Sequence, residues 1–298
     1  MIKLSRTINS AMPLLALTLI AGAAHSQTLQ PWMSPEVGAA WAAGYKGQST
    51  TITVVDDFRS SSLLLGNLGT GTLSQRHGQW TMLESRLLAP QATIRSQDFT
   101  SGTTVPLVTG INVLNLSYGM YAPAGYQASQ IGWSAQERSI IGYATNGNAV
   151  ISKAAGNDAV AVGSATAAGK VDYLNVALKG TKSALFVGAL NSNGSTTRPA
   201  TLASYSNFAG ADPTVQQQFL VVGVEGSKTG LYGTSFAAPV ITGYSAILGS
   251  KFTSATPTQV ANQLLATARQ DTLVGYSAAK YGRGEARLTR ALAPVSIR

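Results

Sequence analysis

The sequence predicts an α/β fold: a three-layer sandwich with a mostly parallel central sheet. Three observations predict it. Five short runs, at 51–56, 112–117, 149–155, 184–190 and 219–223, are nearly continuous in apolar character, as strands covered on both faces are. Segments of helical length lie between or after these runs, and strands alternating with helices build layers on both sides of a parallel sheet. The chain is 298 residues long, 45% hydrophobic and only 11% charged, which is ample for one extensive core.

The elements follow in order. Lys3 and Arg6 precede a charge-free stretch from Ala11 to Ala24 that closes on Ala24-His25-Ser26. This pattern is that of a secretory signal peptide, and the small residues at 24 and 26 place the cut before Gln27. The apolar stretch falls short of the roughly 20 residues a membrane span needs. Residues 1–26 are therefore expected to be removed and 27–298 to form one domain, secreted or periplasmic in a bacterium, monomeric and without stable membrane insertion. A helix is expected over 33–44, followed by the strand Thr51-Ile-Thr-Val-Val-Asp56 and a helix over 77–89. The strand 112–117 and a helix over 129–147 come next, then the strands 149–155, 184–190 and 219–223. Ser192–Pro199, dense in turn-forming residues, is a surface loop. The charge-free window 229–250 holds four glycines and a proline and is read as a buried helix over 235–250 with its leading loop, not as a membrane span. A last helix over 257–268 opens on Thr256-Pro257, a capping residue with proline in the first turn.

Composition excludes several chemistries. There is no cysteine, so no disulfide framework and no thiol nucleophile. Beyond residue 26 the one histidine is His77, which removes every multi-histidine metal site. No loop clusters aspartates and asparagines as a calcium site does, so neither metal nor cofactor is expected. Without Lys3 and Arg6 the chain keeps 19 basic and 12 acidic residues, a net charge of +7. Most of the excess lies beyond Ser250 and reads as a solvated helix face; no basic run interleaved with aromatics suggests nucleic acid.

Hydrolysing a peptide bond without metal or cysteine needs a hydroxyl nucleophile, a base, a group to orient the base, and a donor for the oxyanion. Ser235, in Gly233-Thr-Ser-Phe-Ala-Ala-Pro239, stands among small residues where an apolar helix starts, so the helix dipole favours negative charge there. His77 exchanges protons near neutrality with no perturbation of its pKa. Asp56 ends a buried strand, and Asn157 follows another through Ala154-Ala-Gly156, whose glycine permits a sharp bend. Asp56, Ser117 and Asn157 all occupy carboxyl ends of strands, where open α/β sheets gather function. Asp56 and Asp57 are adjacent, and alternation along a strand lets only one of them address His77.

Taken in order, these blocks resemble the subtilases, serine peptidases whose triad runs Asp, His, Ser along the chain. The resemblance rests on Val54-Val-Asp56, His77-Gly78, Val113-Leu-Asn-Leu-Ser-Tyr-Gly119, Ala154-Ala-Gly-Asn157 and Gly233–Pro239. It extends to Gln30–Pro35, Ala203-Ser-Tyr-Ser206 and Tyr281-Gly-Arg-Gly284, so it covers nearly all of 27–298. It implies a subtilisin-like fold, polypeptide substrates, Asp56, His77 and Ser235 as triad, and Asn157 as oxyanion donor. It prefers Asp56 over Asp57, and it makes Ser117, Tyr118, Gly119, Ala154, Ala155 and Gly156 the lining of the substrate cleft. Departures are Phe58 for the family's usual glycine, Trp80 for its usual second histidine and Val240 for a frequent histidine; none removes a group the chemistry needs. The segment between Ala89 and Ile111 is too short for the customary helix, and the stretch before Gln30 has no room for an inhibitory prodomain.

Three other readings are weaker. An inactive subtilase fold serving as an envelope binding module conflicts with a complete triad. A phosphoacceptor receiver domain would explain Val54-Val-Asp-Asp57 but not the later blocks. A dinucleotide-binding fold fails because no strand is followed by Gly-x-Gly-x-x-Gly.

Overall fold

In the computed structural model, residues 28–298 are described, so the expected signal peptide lies outside the described residues. Six strands form one parallel sheet: β1 (Thr50–Asp56), β4 (Thr93–Asp98), β5 (Ile111–Leu116), β7 (Val150–Ala154), β9 (Ala184–Leu190) and β10 (Phe219–Gly223). Their spatial order is β10-β9-β7-β5-β1-β4. Two antiparallel pairs stand apart from it, β2 (Leu64–Gly66) with β3 (Leu73–Gln75) and β6 (Tyr121–Pro123) with β8 (Lys170–Asp172).

The near-continuous apolar strands are explained by what covers the sheet. Ile52, Val54, Val113, Val150, Leu185, Val187, Leu220 and Val222 join one buried cluster, while Val55, Leu114, Leu116, Ile151, Phe186 and Val221 join another. Successive side chains along a strand point to opposite faces, so both faces must be apolar when helices cover both. The first face packs against α1 (Pro35–Ala42), α2 (His77–Leu88), α7 (Ala238–Lys251) and α8 (Pro257–Thr267). On the other face lie α3 (Ala135–Asn146), α4 (Tyr173–Leu178) and α5 (Pro213–Gln218); a single turn, α6 (Gly226–Thr229), follows β10. Three layers result, as the sequence predicts.

Helix boundaries follow their caps. Thr256 Oγ1 accepts from Gln259 N and Pro257 opens α8, while α3 ends on Gly147 at φ 75°. The window read as a buried helix is one: every residue of α7 from Ala238 to Ser250 is buried. Ser235 precedes it in a tighter 3₁₀ turn, Thr234–Phe236, so the helix proper begins three residues later than expected. The sequence reading did not anticipate β4. This edge strand, Thr-Ile-Arg-Ser-Gln-Asp, is largely polar with one of its six residues buried, and an edge strand needs no apolar alternation. As expected, no helix stands between β4 and β5.

The strand order places the site. From β1 the chain steps outward to β4, then returns past β1 to β5 and continues in the other direction. The connections therefore diverge between β1 and β5, and such a switch point opens a crevice at the carboxyl ends of the strands. Asp56 closes β1 there and Ser117 follows β5.

Candidate active site

Asp56 is 1% exposed, and its carboxylate is held from three directions. Asp57 N donates to Oδ1 at 2.7 Å, Thr81 Oγ1 donates to Oδ2 at 2.8 Å, and Oδ1 lies 2.6 Å from His77 Nδ1. His77 is the first residue of α2. Gly78 brings the helix start against the end of β1: its N–H donates to Asp57 O at 2.9 Å, and a Cβ there would stand 2.7 Å from that oxygen. Burial disfavours protonation of the ring, but Asp56's hydrogen bond and charge, helped by Asp57's charge, outweigh it and hold the His77 pKa above its ordinary 6.5. Asp57 points away. Its carboxylate accepts from Arg59 N, Ser60 N and Ser60 Oγ, and despite some burial these bonds lower its pKa.

The three departures from the family pattern are absorbed by packing. Phe58 N donates to Asp98 Oδ2, Trp80 is fully buried with Nε1 on Leu64 O, and Val240 joins the core.

Ser235 is partly exposed and tied to the strand ends. Ser117 Oγ donates to Ser235 O at 3.0 Å and Ser235 Oγ donates to Ser117 O at 3.3 Å. Buried Asn115 steadies Ser117 through Nδ2 and accepts from Thr242 of α7. Ser235 Oγ thus rests on Ser117 rather than on His77, whose ring lies 5.7 Å, centroid to centroid, from the ring of Phe236.

Asn157 is oriented by the same turn. Thr234 N donates to its Oδ1 at 2.8 Å and Thr234 Oγ1 at 3.0 Å. A backbone N–H can only donate, so the oxygen must face Thr234 and the amide NH₂ is turned away from it. Thr234 Oγ1 also accepts from Gly156 N. Behind the loop, Asn207 is 4% exposed and makes four bonds to it. Its Nδ2 donates to Ala155 O, its Oδ1 accepts from Asp158 N and Val160 N, and its own N–H donates to Gly156 O. Gly156, at φ 116°, would place a Cβ 2.3 Å from Asn207 Nδ2, so the bend and the close approach both demand glycine.

An open cavity of about 310 Å³ lies beside these groups, reached by Ser235, Asn157, Ser117, Tyr118, Gly119, Ala154 and Gly156. Ala155, placed at the cleft by the resemblance, does not reach it. It is fully buried, and its carbonyl is taken by Asn175 Nδ2 and Asn207 Nδ2, because the side facing away from the cleft is packed. Sequence reasoning also left out Tyr121, Lys153, Asp158, Asp172 and Thr234, which complete the lining. One signal for Lys153 was available: a lysine inside an apolar strand requires a buried partner. That partner is Asp172, with Nζ at 2.9 Å from Oδ2. Thr81 was likewise foreshadowed, as a polar residue one helical turn after His77 on a buried face.

Among the described residues no group of three or more His, Cys, Asp or Glu is arranged to hold a metal, and no helix is long and apolar enough to cross a membrane.

The same architecture occurs in solved proteases. The prenylagaramide maturation protease PagA is 19% identical with a TM-score of 0.58, covering 87% of this chain and 98% of PagA. A lanthipeptide protease is 17% identical with a TM-score of 0.57, covering 84% and 89%. MycP1 from Mycobacterium smegmatis is 18% identical with a TM-score of 0.55, covering 90% and 85%. Identities this low speak for a shared fold alone. No curated protein matches the chain. A family model described as the subtilase family matches residues 85–284, a span that holds Ser117, Asn157 and Ser235 and begins after Asp56 and His77. That match takes in 200 of the 298 residues, and with a subtilase-type sheet beneath it the chain belongs to the subtilase family of serine proteases.

Proposed function

We propose that this protein is an exported serine endopeptidase in which Asp56, His77 and Ser235 act as the triad and Asn157 donates to the oxyanion. The observation that carries the reading is the 2.6 Å contact of His77 Nδ1 with buried Asp56; Ser235 and Asn157 line a common cavity. With Nδ1–H donated to Asp56, Nε2 carries the free lone pair. Ser235 Oγ swings from Ser117 O toward Nε2, yields its proton and attacks the scissile carbonyl. The Asn157 amide donates to the resulting oxyanion. Imidazolium His77, stabilised by Asp56, then protonates the leaving amine, and water repeats the sequence to free the acyl group and restore Ser235. An extended peptide lies along Ser117–Gly119 and pairs with that edge by strand addition, with Ala154 and Gly156 facing it across the cleft. The charge and length pattern of residues 1–26 supports action outside the cytoplasm, after cleavage before Gln27.

A non-catalytic envelope binding module draws on one observation, the hydrogen bond of Ser235 Oγ to Ser117 O in place of His77. Resting enzymes often hold such contacts loosely until substrate binds. Labelling of the purified protein with a fluorophosphonate separates the two readings. The expected result is a label on Ser235 and hydrolysis of unfolded protein, both lost in Ser235→Ala with the circular dichroism spectrum retained. A folded protein that neither labels nor cleaves supports the binding module.

A further inference from the structure

The cavity beside Ser235 has an unusual charge distribution for a pocket facing a peptide. Its floor is the ion pair of Lys153 and Asp172, 1% and 5% exposed in their side chains. Asp172 Oδ1 accepts from Met120 N and Leu174 N, and Lys153 Nζ donates to Ala154 O as well as to Asp172. The pair thus bridges the two walls of the cleft, and its charges cancel locally. At the rim stands Asp158, directly after Asn157. It is exposed, it accepts from Tyr121 Oη at 3.1 Å, and among the described residues no lysine or arginine forms an ion pair with it. Three ionised side chains line the cavity, Lys153, Asp158 and Asp172, leaving one net negative charge that sits at the rim. Burial is the main reason the Tyr121 hydroxyl titrates above its usual 10, and the charges of Asp172 and Asp158 push it further. Tyr118 is raised first by burial and then by Glu137, with Asp172 adding to it.

We propose that this cavity selects a cationic side chain, lysine or arginine, on the residue whose carbonyl Ser235 attacks, with Asp158 as the specificity-determining residue. The inference rests on the peptidase reading above. A peptide carbonyl placed between Ser235 Oγ and the Asn157 amide points the side chain of the same residue into the cavity that both groups line. The long stem of lysine or arginine packs along the Tyr118 and Tyr121 rings, as amphipathic side chains do, and its charged end meets Asp158. The Lys153 ammonium does not repel it strongly, because Asp172 neutralises it at the same depth. An aromatic or branched aliphatic side chain would strip water from a charged floor without replacing its hydrogen bonds. A glutamate would face the unpaired charge of Asp158.

The test is a set of fluorogenic peptides identical except at that residue, carrying Lys, Arg, Gln, Leu, Phe or Glu, cleaved by the wild type, Asp158→Asn and Asp158→Lys. For the wild type, kcat/KM for Lys and Arg should exceed that for Gln by about tenfold, or ~1.4 kcal/mol, with the margin shrinking at high salt because Asp158 is exposed. The Lys-to-Gln ratio should fall close to one in Asp158→Asn, and Glu should become preferred over Lys in Asp158→Lys. Leu or Phe as the best substrate, or a Lys-to-Gln ratio unmoved by Asp158→Asn, would overturn the proposal. Fluorophosphonate titration accompanies each enzyme. A preparation that labels and cleaves unfolded protein but shows no cationic preference defeats the specificity alone, whereas one that neither labels nor cleaves defeats the peptidase reading and this one with it.

Discussion

At the scale of single residues, the two adjacent aspartates show what one step along a strand does. Asp56 turns inward and meets His77, while Asp57 turns out and closes the following turn on Arg59 and Ser60. Asparagine at 57 can still accept those two backbone bonds, whereas asparagine at 56 reverses the tautomer that His77 needs. Thr81 adds a third party, because its hydroxyl holds the other Asp56 oxygen. Turnover losses should therefore rank Asp56→Asn at about 10⁴, Thr81→Val at about tenfold, and Asp57→Asn smaller still. Removing the Thr81 donor leaves more of the Asp56 charge to stabilise the imidazolium. The acid limb of kcat/KM, expected above pH 6.5 in the wild type because His77 is raised, should move further up in Thr81→Val and return in Thr81→Ser. A purely structural Thr81 would lower activity without moving that limb. Alternation said only that the two aspartates differ; the resemblance alone preferred Asp56, the one that contacts His77. Thr81 was only hinted at by helical spacing, since nothing local says where a buried hydroxyl will point.

At the scale of elements, the loop after β7 is held by a residue 47 to 52 positions away from the groups it bonds. Asn207 bonds Ala155 and Gly156 on one side of Asn157 and Asp158 and Val160 on the other, so it fixes both flanks of the proposed oxyanion donor. Asn207→Ala should lower kcat by one to two orders of magnitude and leave KM nearly unchanged, because a displaced amide is missed mostly when the oxyanion forms. The deciding measurement is a double-mutant cycle with Asn157→Ala. If Asn207 acts through Asn157, its substitution should cost little once Asn157 is gone; fully additive losses would make it a general support of the fold. Ala203-Ser-Tyr-Ser206 was visible in the sequence as a family block, but Asn207 beside it carried no local mark of its task. Similar reasoning explains the elements. Buried strands and capped helices carry their periodicity on their own residues, whereas β4 is specified by pairing with β1 and shows almost none.

At the scale of the whole molecule, one buried group sets a pH dependence of stability. Glu84, in α2, is 4% exposed, and its Oε2 has no hydrogen-bond partner. Burial pushes its pKa well above the usual 4.5. Folded protein therefore keeps this proton at a pH where unfolded chain has lost it. The stability it contributes is fully present below that usual value of 4.5, which the unfolded chain keeps, and declines as pH rises toward the folded pKa, by at most ~1.4 kcal/mol per unit. Glu84→Gln keeps the shape and removes the titration. Its stability relative to wild type, from urea unfolding, should improve between pH 4.5 and pH 7; an equal difference at both would mean that Glu84 is already ionised in the fold.

What the sequence determined by itself is whatever its neighbours along the chain encode. Continuous apolar runs named the covered strands, Thr256-Pro257 named a helix start, and the blocks around Asp56, His77, Asn157 and Ser235 stood at strand and helix ends where their chemistry could be read. The tertiary structure alone decided which distant residues share a site. Lys153 meets Asp172 across 19 residues, Asn207 meets Ala155 across 52, and Ser117 meets Ser235 across 118. The physical reason is that periodicity records only which face a side chain takes. Which partner waits on that face depends on the order of strands in the sheet and on the loops that their divergence between β1 and β5 brings together.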